Sequence, residues 1–124
     1  FRPPTNSYIL EFPAGLVDKG ETREQTAIRE LYEETGYVGE VQNISPRVYS
    51  SPGILSEAVS FAHMQVDENL ADNQRPKAQN EPDEFITVFE RSVDDISELF
   101  NQEFSRDVKF DAKLFSYFLA QGVL

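Results

Sequence analysis

The chain has no cysteine and no tryptophan, only one histidine (His63) and one methionine (Met64), and no long apolar run. Without cysteine, disulfides are excluded, and a reducing compartment such as the cytosol is compatible with the chain. No stretch approaches the ~20 apolar residues needed to span a bilayer, and no basic segment followed by an apolar one marks a secretory signal. Positive charge is scarce too: 11 Lys and Arg stand against 22 Asp and Glu, a net charge of −11. Such a surface repels nucleic acid and anionic membranes, so neither is expected as a partner. Much of the acidity, including Asp94, Asp95, Glu98 and Glu103, needs no reason beyond solubility. The 124 residues suit one domain with a real core, so a single domain over 1–124 is expected.

What is present is concentrated between Gly15 and Tyr37, where Glu21, Glu24, Glu30, Glu33 and Glu34 share one loop and one predicted helix. Thr22 is a good N-cap and Gln25 completes a capping box. Gly36 fits the left-handed position just past the helix end. Ala27, Ile28, Leu31 and Tyr32 recur at helical spacing and define an apolar side. Glu30 and Glu34 stand one turn apart on another face. Adjacent carboxylates repel, and Arg29 is the only basic residue beside them. A face of this kind makes sense around a hard divalent cation, which prefers oxygen ligands and shares them with substrate phosphates. Exposed glutamates are also the norm on any helix, and that plainer reading keeps Glu24.

Around this segment the chain reads as mixed α and β. Tyr8–Phe12 is a predicted short strand stopped by Pro13. Val38–Ser51 and Ala58–Val66 are β-rich, with a turn at Ser51-Pro52-Gly53. Asp67–Asp83 is polar, without periodicity, and reads as a loop. Glu84–Glu90 reads as a strand. Helices are predicted over roughly Val93–Phe104, with Ile96, Leu99 and Phe100 inward, and over Ala112–Gln121, capped by Asp111 and ended by Gly122. The aromatics Phe85, Phe89, Phe100, Phe104, Phe110, Phe115, Tyr117 and Phe118 mostly fall at strand or helix spacing, so core packing is expected for them. His63 sits mid-strand without a nucleophile partner and reads as a packed or surface histidine. Arg75-Pro76-Lys77 reads as a solvated basic loop.

The spacing Gly15, Glu21, Arg29-Glu30-Leu31, Glu33-Glu34, Gly36, Tyr37 resembles the signature of the Nudix hydrolases, G-x5-E-x7-R-E-U-x-E-E-x-G-U, where U is a bulky aliphatic residue. Eight fixed positions match in register, and only the last U departs, as Tyr37. Beyond this box, Phe1-Arg2-Pro3-Pro4, Glu11-Phe12-Pro13-Ala14, Ser51-Pro52-Gly53, Asn73-Gln74-Arg75-Pro76-Lys77, Asp83-Glu84-Phe85 and Phe115-Ser116-Tyr117 resemble the eukaryotic-type ADP-ribose and ADP-sugar pyrophosphatases. The resemblance thus covers essentially the whole chain.

It implies an α/β/α sandwich with a mixed sheet and a catalytic loop-helix-loop. It implies hydrolysis, dependent on Mg²⁺ or else Mn²⁺, of the pyrophosphate bond of ADP-ribose or a related ADP-sugar to AMP and a sugar phosphate. Carried over, Glu30 and Glu34 are the metal ligands, Glu33 binds a further ion or supports the site, and the Ala14 carbonyl completes the set. Gly15, Glu21 and Arg29 are supporting, with Arg29 orienting carboxylates rather than touching substrate. Arg2 contacts phosphates or ribose. Glu11 lies at the metal site or holds the loop. Glu84 is the expected general base, with Glu57 as its rival and Glu81 a weaker one. Relatives of this type carry an upstream segment with dimer contacts and adenine-stacking aromatics. Since this chain begins at Phe1, it is expected to be truncated, with weakened substrate affinity or loss of the homodimer. A cytoplasmic location is expected, with nucleus and mitochondrion left open. Two alternatives are another nucleoside diphosphate substrate and a non-catalytic nucleotide-binding module; degenerate modules usually lose box glutamates, and this chain has lost none.

Overall fold

The computed structural model describes residues 1–80, 85–105 and 108–123, with only the backbone of 104 and 105. These residues fall into two compact units, one made of Phe1–Phe12 and Thr87–Leu124, the other of Pro13–Ile86.

In the second unit, helix α1 (Arg23–Thr35) begins where the sequence places it. The Thr22 side chain accepts from Gln25 N, and the Gln25 side chain accepts from Thr22 N, so the capping box is closed. Gly36 ends the helix at φ +79°, a left-handed conformation costly for any residue with a Cβ. Strand β2 (Gly39–Ile44) pairs antiparallel with β5 (Ala62–Val66), Gly39 opposite Val66 and Ile44 opposite Ala62. The register shifts between Val41 and Asn43, leaving Gln42 as a bulge. Along β5, half-buried Ala62, Met64 and Val66 alternate with exposed His63 and Gln65, the period-2 pattern of a strand covered on one side. His63 is therefore a surface histidine. A second, short antiparallel pair joins β3 (Val48–Tyr49) to β4 (Ala58–Val59).

The segment after β5, described over residues 67–80, forms one 3₁₀ turn at Ala71–Asn73 and no other helix or strand. Its anchor is Asn73, which is buried: Nδ2 donates to Val38 O at 2.8 Å and Asp67 O at 2.9 Å, while Oδ1 accepts from Val38 N at 2.7 Å. Further along, Gln79 N donates to Glu33 O at 2.6 Å and its side chain donates to Tyr32 Oη at 2.7 Å. The loop is thereby laid against the C-terminal end of α1, where Lys77 backbone occupies the space a Gly36 side chain would need.

In the first unit, β1 (Ile9–Leu10) pairs parallel with β6 (Lys109–Phe110). Helix α2 (Ile96–Ser105) follows a 3₁₀ turn at Val93–Asp95, and α3 (Ala112–Ala120) is capped by Asp111, whose side chain accepts from Lys113 N and Leu114 N. Ile96, Leu99, Phe100 and Leu114 form the buried core, with Leu10, Phe110 and Phe118 packed on it. The Phe100 ring stacks on Phe110 at 4.5 Å and meets Phe115 and Phe118 edge-on, geometry that adds to the area it buries. Burial pushes the Asp111 carboxyl up, but the Lys113 ammonium and the cap hydrogen bonds outweigh this and hold it below the usual range.

Parallel and antiparallel pairs with helices agree with the α/β expectation. One element differs. Residues 85–90 of the expected Glu84–Glu90 strand carry no strand structure. A strand exists by virtue of its ladder, and among the described residues no strand pairs with this stretch. Its apolar side chains stay exposed, Phe85 most of all. Among the described residues, no helix is long and apolar enough to cross a membrane.

Candidate active site

Arg29 is the hub of the glutamate-rich segment. Its planar guanidinium carries five N–H donors in a fixed fork. Nε donates to Glu21 Oε1 at 2.9 Å. One terminal nitrogen donates to Glu21 Oε2 at 2.9 Å and to Leu16 O at 3.0 Å. The other donates to Glu30 Oε1 at 2.6 Å and Glu33 Oε2 at 2.9 Å. All five donors are used inside the chain. Asp18 adds a looser ion pair at 3.8 Å. Three close carboxylates against one guanidinium leave the cluster net negative.

Glu21 is held as fully as Arg29. Its Oε2 also accepts from Thr26 Oγ1 at 2.8 Å and from Asp18 N at 3.3 Å. The Arg29 fork, then the Thr26 hydroxyl, bring the Glu21 carboxyl down to about 2 against a slight upward push from burial. Hydrogen bonds from Glu21, Glu30 and Glu33 in turn raise Arg29 far above its ordinary range, so its charge is permanent.

The loop before the helix closes on the same carboxylates. Ala14 N donates to Glu34 Oε2 at 3.1 Å. At Gly15 the missing side chain matters: a Cβ there would fall on the Glu30 carboxylate. Glycine lets backbone approach the carboxylate, and Glu30 retains only 17% side-chain exposure.

Chain folding thus brings together Ala14, Gly15, Glu21, Arg29, Glu30, Glu33 and Glu34. Ala14 meets Glu34 through its N–H. Among the described residues no three His, Cys, Asp or Glu side chains are gathered into a ready cage for a metal. The donors on offer are carboxylate and backbone oxygens around a net-negative cluster, with Gly15 holding the loop open to Glu30. That chemistry fits a hard divalent cation, which keeps several water or phosphate oxygens of its own.

The remaining expected residues that the structure describes have partners of their own. Arg2 and Glu11 pair with each other, Arg2 Nε donating to Glu11 Oε1 at 2.7 Å. Glu57 accepts from Ser50 Oγ at 3.2 Å and, among the described residues, shares no hydrogen bond or ion pair with the Arg29 cluster. Glu81, Asp83 and Glu84 lie outside the described residues. Among the described residues three polar ones are buried: Thr26 drew no notice in the sequence, Asn73 stood only within the resemblance, and Glu103, expected to be a solvated carboxylate, is 5% exposed. Thr26 left one faint signal, a hydroxyl one turn past an N-cap, and Asn73 stood in the Asn73-Gln74-Arg75-Pro76-Lys77 run without a role of its own.

A family profile described as the NUDIX domain matches residues 1–116, and the chain belongs to that family. Over its whole length it is 37% identical to an ADP-ribose pyrophosphatase of Saccharomyces cerevisiae, covering 53% of that protein. It is 40% identical to an ADP-sugar pyrophosphatase of Mus musculus across 97% of this chain and 56% of the relative. It is also 40% identical to an ADP-ribose pyrophosphatase of Bacillus subtilis across 91% of this chain and 57% of the relative. The chain spans about half the length of the curated relatives it matches.

Proposed function

We propose that this chain, as one Nudix domain over residues 1–124, hydrolyses the pyrophosphate bond of ADP-ribose or a related ADP-sugar, giving AMP and a sugar phosphate. The observation that carries this reading is the Arg29 hub, which holds Glu30 and Glu33 while Ala14 N–H meets Glu34. Relatives named for the same reaction support the substrate class.

Glu30, Glu34 and the Ala14 carbonyl would hold Mg²⁺ or Mn²⁺, with Glu33 supporting. When bound, such an ion neutralises pyrophosphate charge and lowers the barrier to attack by water. Arg29 cannot serve substrate, because its donors are spent; its work is to hold carboxylates against mutual repulsion. Arg2 would leave or share Glu11 to bind phosphate or ribose. An exposed ion pair is worth little, so exchanging Glu11 for an anionic substrate is easy. Glu84 is assigned as general base, accepting a proton from the attacking water, with Glu57 as the alternative. A homodimer of the whole protein and a cytoplasmic location complete the proposal.

The test is AMP production from ADP-ribose, with a second nucleoside diphosphate sugar for comparison. Glu34→Gln should lose more than about 100-fold in kcat, beyond the range carried by outer-shell partners of a metal. Activity indifferent to both divalent ions and Glu34 would refute the mechanism. A Glu84→Gln variant with full kcat would move the base to Glu57.

A further inference from the structure

We propose that Thr26, a residue outside the fixed positions of the glutamate box, is a positioning residue of the site. Its buried hydroxyl fixes the Glu21 carboxylate, and through it the Arg29 fork that holds Glu30 and Glu33. The inference rests on the reading of Glu30 and Glu34 as metal-binding carboxylates.

Thr26 is only 5% exposed and is the one buried residue of α1. A polar residue so placed must satisfy its hydroxyl or lose free energy. One hydroxyl proton faces two acceptors, Glu21 Oε2 at 2.8 Å and Thr22 O at 3.1 Å. The nearer acceptor is a carboxylate, and charge-assisted bonds are the stronger kind, so the proton goes to Glu21. Bonding back to the preceding turn is the ordinary fate of a helical threonine; here the carboxylate takes that proton.

The consequence runs along a short chain of rigid contacts. Thr26, Asp18 and Arg29 all donate to Oε2 while Arg29 Nε donates to Oε1, so the Glu21 carboxylate is held at both oxygens. Glu21 grips Arg29 through Nε and one terminal nitrogen, which sets the plane of the guanidinium. The opposite terminal nitrogen, carried in that plane, faces Glu30 and Glu33. Because every donor of the fork is committed, a tilt at the Glu21 end displaces the Glu30 end as well. The same fork holds Leu16 O, and with it the loop bearing Ala14 and Gly15.

Thr26→Val keeps the branched shape and removes the hydroxyl; Thr26→Ser keeps the hydroxyl and removes the methyl. Two readouts separate positioning from packing. The first is the Arg29 Nε–H resonance in the metal-free chain, which needs neither substrate nor ion. It should move and broaden in Thr26→Val and return toward its original position in Thr26→Ser. The second is the Mg²⁺ concentration for half-maximal activity. It should rise on the order of tenfold in Thr26→Val, as outer-shell losses do, and recover in Thr26→Ser. An unmoved Arg29 resonance in Thr26→Val overturns the proposal, as does a Thr26→Ser variant that behaves like Thr26→Val. Should the unaltered chain leave ADP-ribose intact, the functional reading fails, while the Arg29 resonance still decides the role of Thr26.

Discussion

The cluster around Arg29 and the cluster around Phe100 are two ways of making a fixed structure. Around Phe100, order comes from apolar packing: Ile96, Leu99, Phe100 and Leu114 are each buried to 5–6% exposure, and the rings meet at 4.5–6.0 Å. Around Arg29, order comes from donors and acceptors matched one to one on side chains that remain partly wet. Packing is non-directional and scales with area. A saturated guanidinium is directional and gives little net stability in water, yet it fixes where charges point. The first cluster holds its unit folded, and the second holds carboxylates in place for chemistry.

Substitutions can break that contrast. Phe100→Ala should have the largest effect, about 3–5 kcal/mol of stability by transfer and cavity terms; chemical denaturation would measure it, and activity per folded molecule should stay near its original value. Arg29→Lys should do the reverse. A lysine is a single point charge and cannot serve five acceptors, so kcat should fall about 10–100-fold with a smaller loss of melting temperature than Phe100→Ala. If both variants lose stability and activity in parallel, the division of labour is wrong.

Gly36→Ala sharpens the comparison at the helix end. A left-handed alanine costs about 1–2 kcal/mol, and its Cβ would meet Lys77 backbone, so the loss should reach at least that figure in denaturant unfolding. The smallest effect is expected from acid. The Glu21 pKa is about 2 in the folded chain against 4.5 ordinarily. A depressed pKa gives stability that is complete above the ordinary value and lost as pH falls toward the folded one. The Glu21 contribution should therefore fade between pH 4.5 and about 2, and Glu21→Gln should flatten the unfolding profile across that window.

Local rules made much of this legible beforehand. Thr22 and Gln25 do form a capping box, Gly36 does take the left-handed turn, Asp111 does cap α3, and Ile96, Leu99 and Phe100 do point inward. Each depends on residues a few positions apart, where backbone geometry translates spacing into contact. The 85–90 stretch misled for the opposite reason: its β-favouring residues imply a strand, but a strand needs a partner, and no local rule supplies one.

The apolar side of α1 also separates the two levels. Periodicity assigns Ile28 and Tyr32 to a buried face, yet they are 42% and 40% exposed, while the Glu30 side chain is 17% exposed. Hydropathy ranks residues by transfer from water; it does not know that Arg29 and the Gly15 backbone will cover a carboxylate. The sequence by itself determined that a cluster of glutamates would share one capped helix behind a glycine loop, because those facts follow from spacing along a single backbone. Only the tertiary structure decided that Arg29 spends all five donors within the chain, that Leu16 and Ala14 are drawn onto the same cluster, and that Thr26 gives its proton to Glu21. Those contacts depend on how the loop before α1 folds back along it, and closure of that kind is set by many weak terms at once.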